Sequence, residues 1–374
     1  MQLSVIILNY NVRYFLEQCV LSVQKALEGI DGEIIVIDNA SSDESCEMMK
    51  TKFPHIKLIE NKENLGFPKG NNIGVAQAKG EYICILNPDT VVAEDTFLKI
   101  LNSQFTTHNS QLGIIGCKLI DGAGNFLPES KRGVPTPWVA FTKIFGLYKI
   151  SNYFGKYYAQ HLSENETGKV DILVGAFMVM KRELYLEVGG FDENCFMYSD
   201  DIDLSYLVLK SGKSNYYFHE TSVIHYKGES TVRDGTYMKR FREAMQFFYK
   251  KHFKKSWFFD VMMQVGSFVF SLLKKNQQKN EVRTIDEYVV FSKENLELNL
   301  SKKATYLSDF NQFENQPQKN LEIIFDTTTF SFAEIITFMQ LNKSKNLSFK
   351  NYISSSNYLI GSNNSNDRGQ IILL

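Results

Sequence analysis

The stretch Ile83-Cys-Ile-Leu-Asn-Pro-Asp-Thr90 decides how the rest of the chain is read. A short apolar run stops abruptly at Asn87, Pro88 and Asp89, the pattern of a buried strand that delivers a carboxylate to the carboxyl edge of a sheet. Open α/β sheets bind their ligands at that edge. Alone, the stretch is equally an ordinary strand followed by a proline turn. Its surroundings break the tie.

On its N-terminal side, Leu3 to Leu8 reads as a strand that stops at Asn9, Tyr10 and Asn11. A helix is predicted from about Tyr14 to Leu27, with Phe15, Cys19, Val20, Val23 and Ala26 near helical spacing. Glu33-Ile-Ile-Val-Ile-Asp38 is a second buried strand, after which Ser42 or Asp43 caps a helix reaching about Phe53. A third strand, Ile56 to Glu60, leads through Asn64-Leu-Gly-Phe-Pro-Lys-Gly-Asn-Asn-Ile-Gly74 into a further helix. Strand and helix alternate four times in about ninety residues, which predicts parallel pairing through right-handed crossovers. The outline is that of a nucleotide-binding α/β fold.

Composition narrows the class. With 374 residues and 44% hydrophobic content, the chain fills one large core or two ordinary ones. Lys plus Arg (41) balances Asp plus Glu (42), so global charge points to no nucleic-acid or polyanion partner. The five cysteines, Cys19, Cys46, Cys84, Cys117 and Cys195, are odd in number and lack C-x-x-C spacing, which fits buried thiols in a reducing compartment. The N-terminus enters a strand directly, without a basic region or cleavage site, so a cytoplasmic location is expected.

The glycines at 66, 70 and 74 do not form a dinucleotide fingerprint: their spacing is G-x-x-x-G-x-x-x-G, and they follow the third strand rather than the first. No G-K-[ST] stands in the context of a P-loop. Gly66, Gly70 and Asn71 instead let backbone approach a phosphate or sugar at a helix N-terminus. Gly74 is equally a packing glycine.

Asp38-Asn-Ala-Ser-Ser-Asp43, Asn64-Leu-Gly-Phe67 and Asn87-Pro-Asp89, in that order, resemble the nucleotide-sugar motifs of family 2 glycosyltransferases of the GT-A fold, within them the bacterial rhamnosyltransferase-like branch acting on cell-surface polysaccharides. The likeness runs from Met1 to about Lys251. It implies an α/β fold with a mixed, mainly parallel sheet flanked by helices. It also implies an inverting transfer of sugar from a UDP- or dTDP-activated donor, dTDP-rhamnose among them, to a lipid-linked or oligosaccharide acceptor. By the same resemblance Asp38 accepts a hydrogen bond from the ring N–H of the base, Asn9 and Tyr10 flank it, and Asn64 and Asn87 line the donor. The usual Asp-x-Asp is here Asn87-Pro-Asp89, which leaves Asp89 as the carboxylate for a divalent cation. The departing diphosphate gains charge, and a hard ion such as Mg²⁺ or Mn²⁺ needs only one or two carboxylates besides phosphate oxygens.

A second cluster, Val174-Gly-Ala-Phe-Met-Val-Met-Lys-Arg182 followed by Gly189-Gly-Phe-Asp-Glu-Asn-Cys-Phe-Met-Tyr-Ser-Asp-Asp-Ile-Asp-Leu204, matches the acceptor segment of the family, with Gly175 and Phe196 in it. Asp200, Asp201 and Asp203 precede a helix, Leu204 to Lys210, where acidic residues also serve the helix dipole. The family's Glu-Asp pair becomes Asp200-Asp201, and Asp201 takes the position of the general base. His225 opens His-Tyr-Lys-Gly-Glu-Ser230, which resembles the family's closing element over the diphosphate; His225 is then a metal ligand, and Lys227 and Ser230 contact phosphate oxygens. Lys131 and Arg132 lie in a basic, proline-rich stretch that is either a solvated loop or a contact for a lipid-linked diphosphate.

Beyond the catalytic domain, 1–251, the residues 252–275 are expected to form an amphipathic helix. Trp257 to Leu273 is nearly wholly apolar with one polar stripe, Asp260, Gln264, Ser267 and Ser271, and too short to span a bilayer. It fits peripheral contact with an anionic membrane, packing on the catalytic domain, or a homodimer contact. Residues 276–319 read as a linker and 320–374 as a small α/β appendage, with Ser331 and Glu334 forming a capping box. Two other functions compete: a sugar nucleotidyltransferase, which should carry a basic glycine-rich loop after the first strand, and a catalytically silent carbohydrate-binding or scaffold subunit. Asn9-Tyr-Asn-Val-Arg13 is not such a loop.

Overall fold

The computed structural model describes residues 1–104, 106, 109–136, 138–139, 142, 150, 152–227, 235–253, 284–364 and 369–374. The first sheet contains β1 (Leu3–Asn9), β2 (Gly32–Asp38), β3 (Lys57–Glu60), β4 (Tyr82–Leu86), β5 (Thr90–Val91), β6 (Leu112–Ile120), β7 (Gly168–Val170), β8 (Phe177–Lys181) and β9 (Ser214–His225). Their order is β3-β2-β1-β4-β8-β6-β9-β5, with β7 on β9. β1 runs parallel to both β2 and β4, and Asn9 lies opposite Asp38 at the carboxyl edge. β8 enters antiparallel to β4 and β6, so the sheet is mixed.

Helices α1 (Arg13–Ala26), α2 (Ser45–Lys52) and α3 (Gly66–Ala76) make the first three crossovers. Because successive residues of a strand face opposite sides, Leu3, Val5 and Ile7 pack with Leu16, Cys19, Val20 and Val23 of α1. Ile6 and Leu8 pack on the other face, with Val75. Both faces are covered, which is why β1 and β4 are buried along their whole length. α3 lies nearly flush on this sheet. A Cβ on Gly70 would come within 2.4 Å of Leu8 Cδ1, and one on Gly74 within 2.5 Å of Ile37 Cδ1. Gly70 is therefore a packing glycine, not the phosphate contact expected of it.

After the short helices α4 (Thr96–Leu101) and α5 (Arg182–Glu187), the acidic run sits on α6 (Asp200–Lys210), which starts four residues earlier than the pattern indicated and takes all three aspartates into its first turn. α7 (Gly235–His252) packs on α6, with Met245, Phe248 and Tyr249 buried against Ile202. His252 Nε2 and Lys251 Nζ meet the buried Asp203 carboxylate at 2.5 and 2.8 Å. Phe248 and Tyr249 of α7 thus belong to a packing face. All five cysteines are free.

The second sheet has the order β11-β10-β12-β13-β14-β15: β10 (Glu287–Phe291), β11 (Ala304–Leu307), β12 (Leu321–Asp326), β13 (Leu347–Ile353), β14 (Tyr358–Gly361) and β15 (Gln370–Leu373). Its first four strands are parallel. Two of them, β10 and β11, lie inside the stretch read as a linker, 276–319, so the second unit is larger than the expected appendage 320–374. Two runs of five and four residues in a stretch rich in Asn, Lys, Gln and Ser are too few to change a compositional reading. Phe310, from the same stretch, packs with Phe291, Phe330 and Phe338 at ring distances of 4.7, 4.6 and 4.7 Å. α8 (Phe332–Leu341) carries the capping box read from Ser331 and Glu334. Residues 254–283, including the apolar segment 257–273, lie outside the described residues. Among the described residues no helix is long and apolar enough to cross a membrane.

Candidate active site

Three strand ends of the first sheet, β1, β2 and β4, and the start of α6 converge on one edge. At the end of β1 and β2, Asn9 Nδ2 donates to Asp38 Oδ2 at 2.7 Å while the Ser41 backbone N–H donates to Oδ1 at 2.7 Å. Both side chains are buried, and Asn9 Oδ1 has no partner among the described residues. The next residue, Asn39, ties the neighbouring loop together: its Nδ2 donates to the Gly66 carbonyl at 3.2 Å, and its Oδ1 accepts from Asn61 Nδ2 at 2.8 Å. Gly66 has φ +80°, and a Cβ there would sit 2.8 Å from the Phe196 ring, so both conformation and space require glycine. The Phe67 N–H donates to the Phe196 carbonyl at 3.0 Å. The Asn64–Phe67 loop and the Phe196 segment are therefore tied together.

Beyond β4, Asn87 N–H donates to the Ala176 carbonyl at 3.0 Å, and the chain turns so that Thr90 pairs with His225 of β9. This pairing brings Asp89 Oδ1 within 3.4 Å of His225 Nε2, with Asn87 Nδ2 also 3.4 Å from that nitrogen. The distances are too long for strong hydrogen bonds. Asn87 Oδ1 and His225 Nδ1 are buried without partners among the described residues. Buried polar atoms are normally satisfied, so each of these two atoms is open to a polar ligand. Oxygen and imidazole donors at that spacing fit a divalent cation. Among the described residues no three His, Cys, Asp or Glu side chains are grouped to hold a metal, so phosphate oxygens and water would complete its coordination.

Asp200 and Asp201 stand at the start of α6, 6% and 8% exposed. Asp201 Oδ2 accepts from Arg132 Nη2 at 2.5 Å and from the Gly175 backbone N–H at 3.1 Å. Arg132 Nη2 also donates to the Leu173 carbonyl at 3.0 Å. Burial opposes the charge on Arg132, but the Asp201 carboxylate outweighs it and holds the guanidinium above its usual range. The adjacent Asp200 behaves differently. Burial first, and the neighbouring Asp201 charge second, push its carboxyl up to about 7.

A cleft of about 280 Å³ opens between these groups, lined among others by Tyr10, Asn64, Gly66, Asn87, Gly175 and Phe196, with Asp200 and Asp201. Asn9, Asp38, Asp89 and His225 are buried at its margin and do not line it. Asn71 is fully buried on α3, donating to the Phe67 carbonyl at 3.0 Å, and does not reach the cleft. Lys227 is ion-paired with Glu129. Ser230 lies outside the described residues. Lys131 is neither a solvated loop residue nor a ligand contact: its buried ammonium donates to the carbonyls of Tyr158, Ala159 and Leu162, at 3.2, 3.2 and 2.7 Å. Two cleft residues escaped the sequence reading in this role. Asn39 follows Asp38 directly and was open to detection; Arg132 looked like surface charge because its partner is 69 residues away.

Residues 4–189 match the model described as Glycosyl transferase family 2. An N-acetylglucosaminyl-diphospho-decaprenol L-rhamnosyltransferase of Mycobacterium tuberculosis is 26% identical over 243 residues, 62% of this chain and 78% of that protein. The rhamnosyltransferase WbbL of Escherichia coli is 27% identical over 224 residues, 54% of this chain and 78% of that protein. A mannosyltransferase of Pyrobaculum calidifontis, solved with GDP-Man and Mn²⁺, superposes with a TM-score of 0.47 at 17% identity, covering 74% of this chain and 76% of that one.

Proposed function

Because the chain belongs to glycosyl transferase family 2, we propose that it moves a sugar with inversion from a UDP- or dTDP-sugar to a hydroxyl of a lipid-linked or oligosaccharide acceptor. The observation that carries this reading is the fixed Asp201. Its Oδ2 is held by Arg132 and the Gly175 N–H, while its Oδ1 has no hydrogen-bond partner among the described residues. Held in this way, Oδ1 takes the proton of the acceptor hydroxyl as that oxygen bonds to the anomeric carbon and the bond to the diphosphate breaks on the opposite face. The Asp89–His225 corner would hold a divalent cation, which supplies Lewis-acid stabilisation of the departing diphosphate. Asn9 and Asp38 bind the base outside the cleft, whose volume of about 280 Å³ suits a sugar ring rather than a whole donor. Asn64, Gly66 and Phe196 shape the sugar side of that cleft.

Relatives of this chain named for a lipid-diphosphate acceptor and for rhamnosyl transfer support dTDP-rhamnose as donor and work at the inner face of the cytoplasmic membrane. The test is a panel of UDP- and dTDP-sugars assayed for donor hydrolysis with Mn²⁺, comparing the parent with Asp89→Ala and Asp201→Asn. Turnover in the parent alone is expected. Equal turnover in all three proteins overturns the reading.

A further inference from the structure

The two chain segments that carry Asp89 and His225 continue directly into the contact with the second unit. Val91, Ala93, Ile224 and Tyr226 share one buried cluster with Phe325 and Phe332. Tyr226, next to His225, packs edge-on to Phe15 of α1 at 5.2 Å and its hydroxyl accepts from Asn351 Nδ2 at 3.4 Å. Its backbone N–H donates to the Asp89 carbonyl at 3.0 Å, so the two segments are also bonded to each other.

Five residues beyond Asp89, the Glu94 carboxylate accepts from the Phe332 and Ala333 N–H groups at 2.8 and 2.9 Å. It thus caps α8 from the other unit, where a negative charge complements the helix dipole. Lys25 at the end of α1 donates to the Thr327 carbonyl at 2.8 Å and lies over the Phe332 ring at 5.0 Å. The approach is close enough to need glycine: a Cβ at Gly122 would come within 2.5 Å of the Ser362 carbonyl oxygen. These contacts run along the back of the corner, away from the cleft residues.

We propose that the second unit is a brace, positioning Asp89 and His225 by clamping residues 89–94 and 224–226 from behind. That these two side chains take the donor's cation rests on the function proposed above; the bracing does not. Glu94, Lys25 and Asn351 are positioning residues that touch no substrate.

Hydrogen exchange on the ligand-free full chain tests this, with Glu94→Ala and Lys25→Met beside the parent. The amides of Thr90, Val91 and Tyr226 should exchange about five-fold faster in each variant, while those of Val5 to Ile7 in the first sheet keep their parental rates. Should Glu94→Ala loosen the whole chain, Lys25→Met decides. Acceleration confined to residues 321–353, with Thr90, Val91 and Tyr226 at parental rates, overturns the proposal. Titration of Mn²⁺ in the presence of UDP separates the two readings: weaker binding in the variants supports the brace acting on the cation. Absence of binding in the parent itself overturns the cation role of Asp89 and His225 and leaves the exchange result to judge the brace.

Discussion

Two mainly parallel runs of strands, one in each sheet, have carboxyl edges of opposite fate. On the first, β1, β2 and β4 end in Asn9, Asp38 and the Asn87–Asp89 turn, and the Oδ1 atoms of Asn9 and Asn87 and Nδ1 of His225 stay buried without partners among the described residues. On the second, β12 ends in Asp326, whose Oδ2 accepts from Ser292 Oγ at 2.8 Å and whose Oδ1 accepts from the Thr328 N–H and Oγ1 at 3.1 and 2.6 Å. Over that edge lies α1, with Lys25 on Thr327 and Glu17 meeting Lys52 and Ser356. A strand ending in aspartate is therefore not a site by itself. It becomes one where the fold leaves polar atoms unsatisfied and space before them; where neighbours satisfy them, the same carboxylate is structure.

The sharpest way to break this contrast is to remove one carboxylate from each edge. Asp201→Asn should lower turnover by about 10³-fold with donor affinity kept, as loss of a general base does, whereas Asp326→Ala should leave turnover unchanged. Steady-state kinetics with the donor found in the panel checks both. Arg132→Ala comes next, with turnover down about 10²-fold because a misplaced base is costly; added guanidinium should restore part of it, and Arg132→Lys should fall between. Asp326→Ala should still cost about 2 kcal/mol of stability, read from urea unfolding, because it strands Ser292 and Thr328 without their acceptor.

The smallest effect concerns Asp200. With its carboxyl raised to about 7 by burial and Asp201, the folded chain keeps a proton that the unfolded chain releases above about pH 4. The stability tied to that proton is full below about pH 4 and is lost as pH rises through about 7. Asp200→Asn should remove the loss, so its melting temperature relative to the parent should rise by a few degrees between pH 5 and pH 8. A constant difference across that range would place the carboxyl elsewhere.

Much of this was legible in the chain. The strand runs at Leu3, Glu33, Ile56 and Ile83 and the mixed α/β class they imply were readable because a doubly covered sheet demands unbroken apolar stretches. The family was readable from motifs that sit at the strand ends. Gly70 and Asn71 were misread because a glycine or an asparagine at the start of a helix looks the same whether it meets a ligand or the sheet beneath it. The linker was misread because β10 is five residues long in polar company.

By itself, then, the sequence determined the periodic elements, the positions of Asp38, Asp89 and Asp201 at their ends, and the capping box of α8, all of which are local facts of spacing. The tertiary structure alone decided which partners those charges meet. It placed His225 beside Asp89 and Arg132 on Asp201, fixed the fully buried Asn71 away from the cleft, and folded a second unit against the back of the Asp89–His225 corner. The reason is physical: the energy of a charge depends on burial and on its nearest partner, and in a fold of crossovers that partner comes from a distant part of the chain.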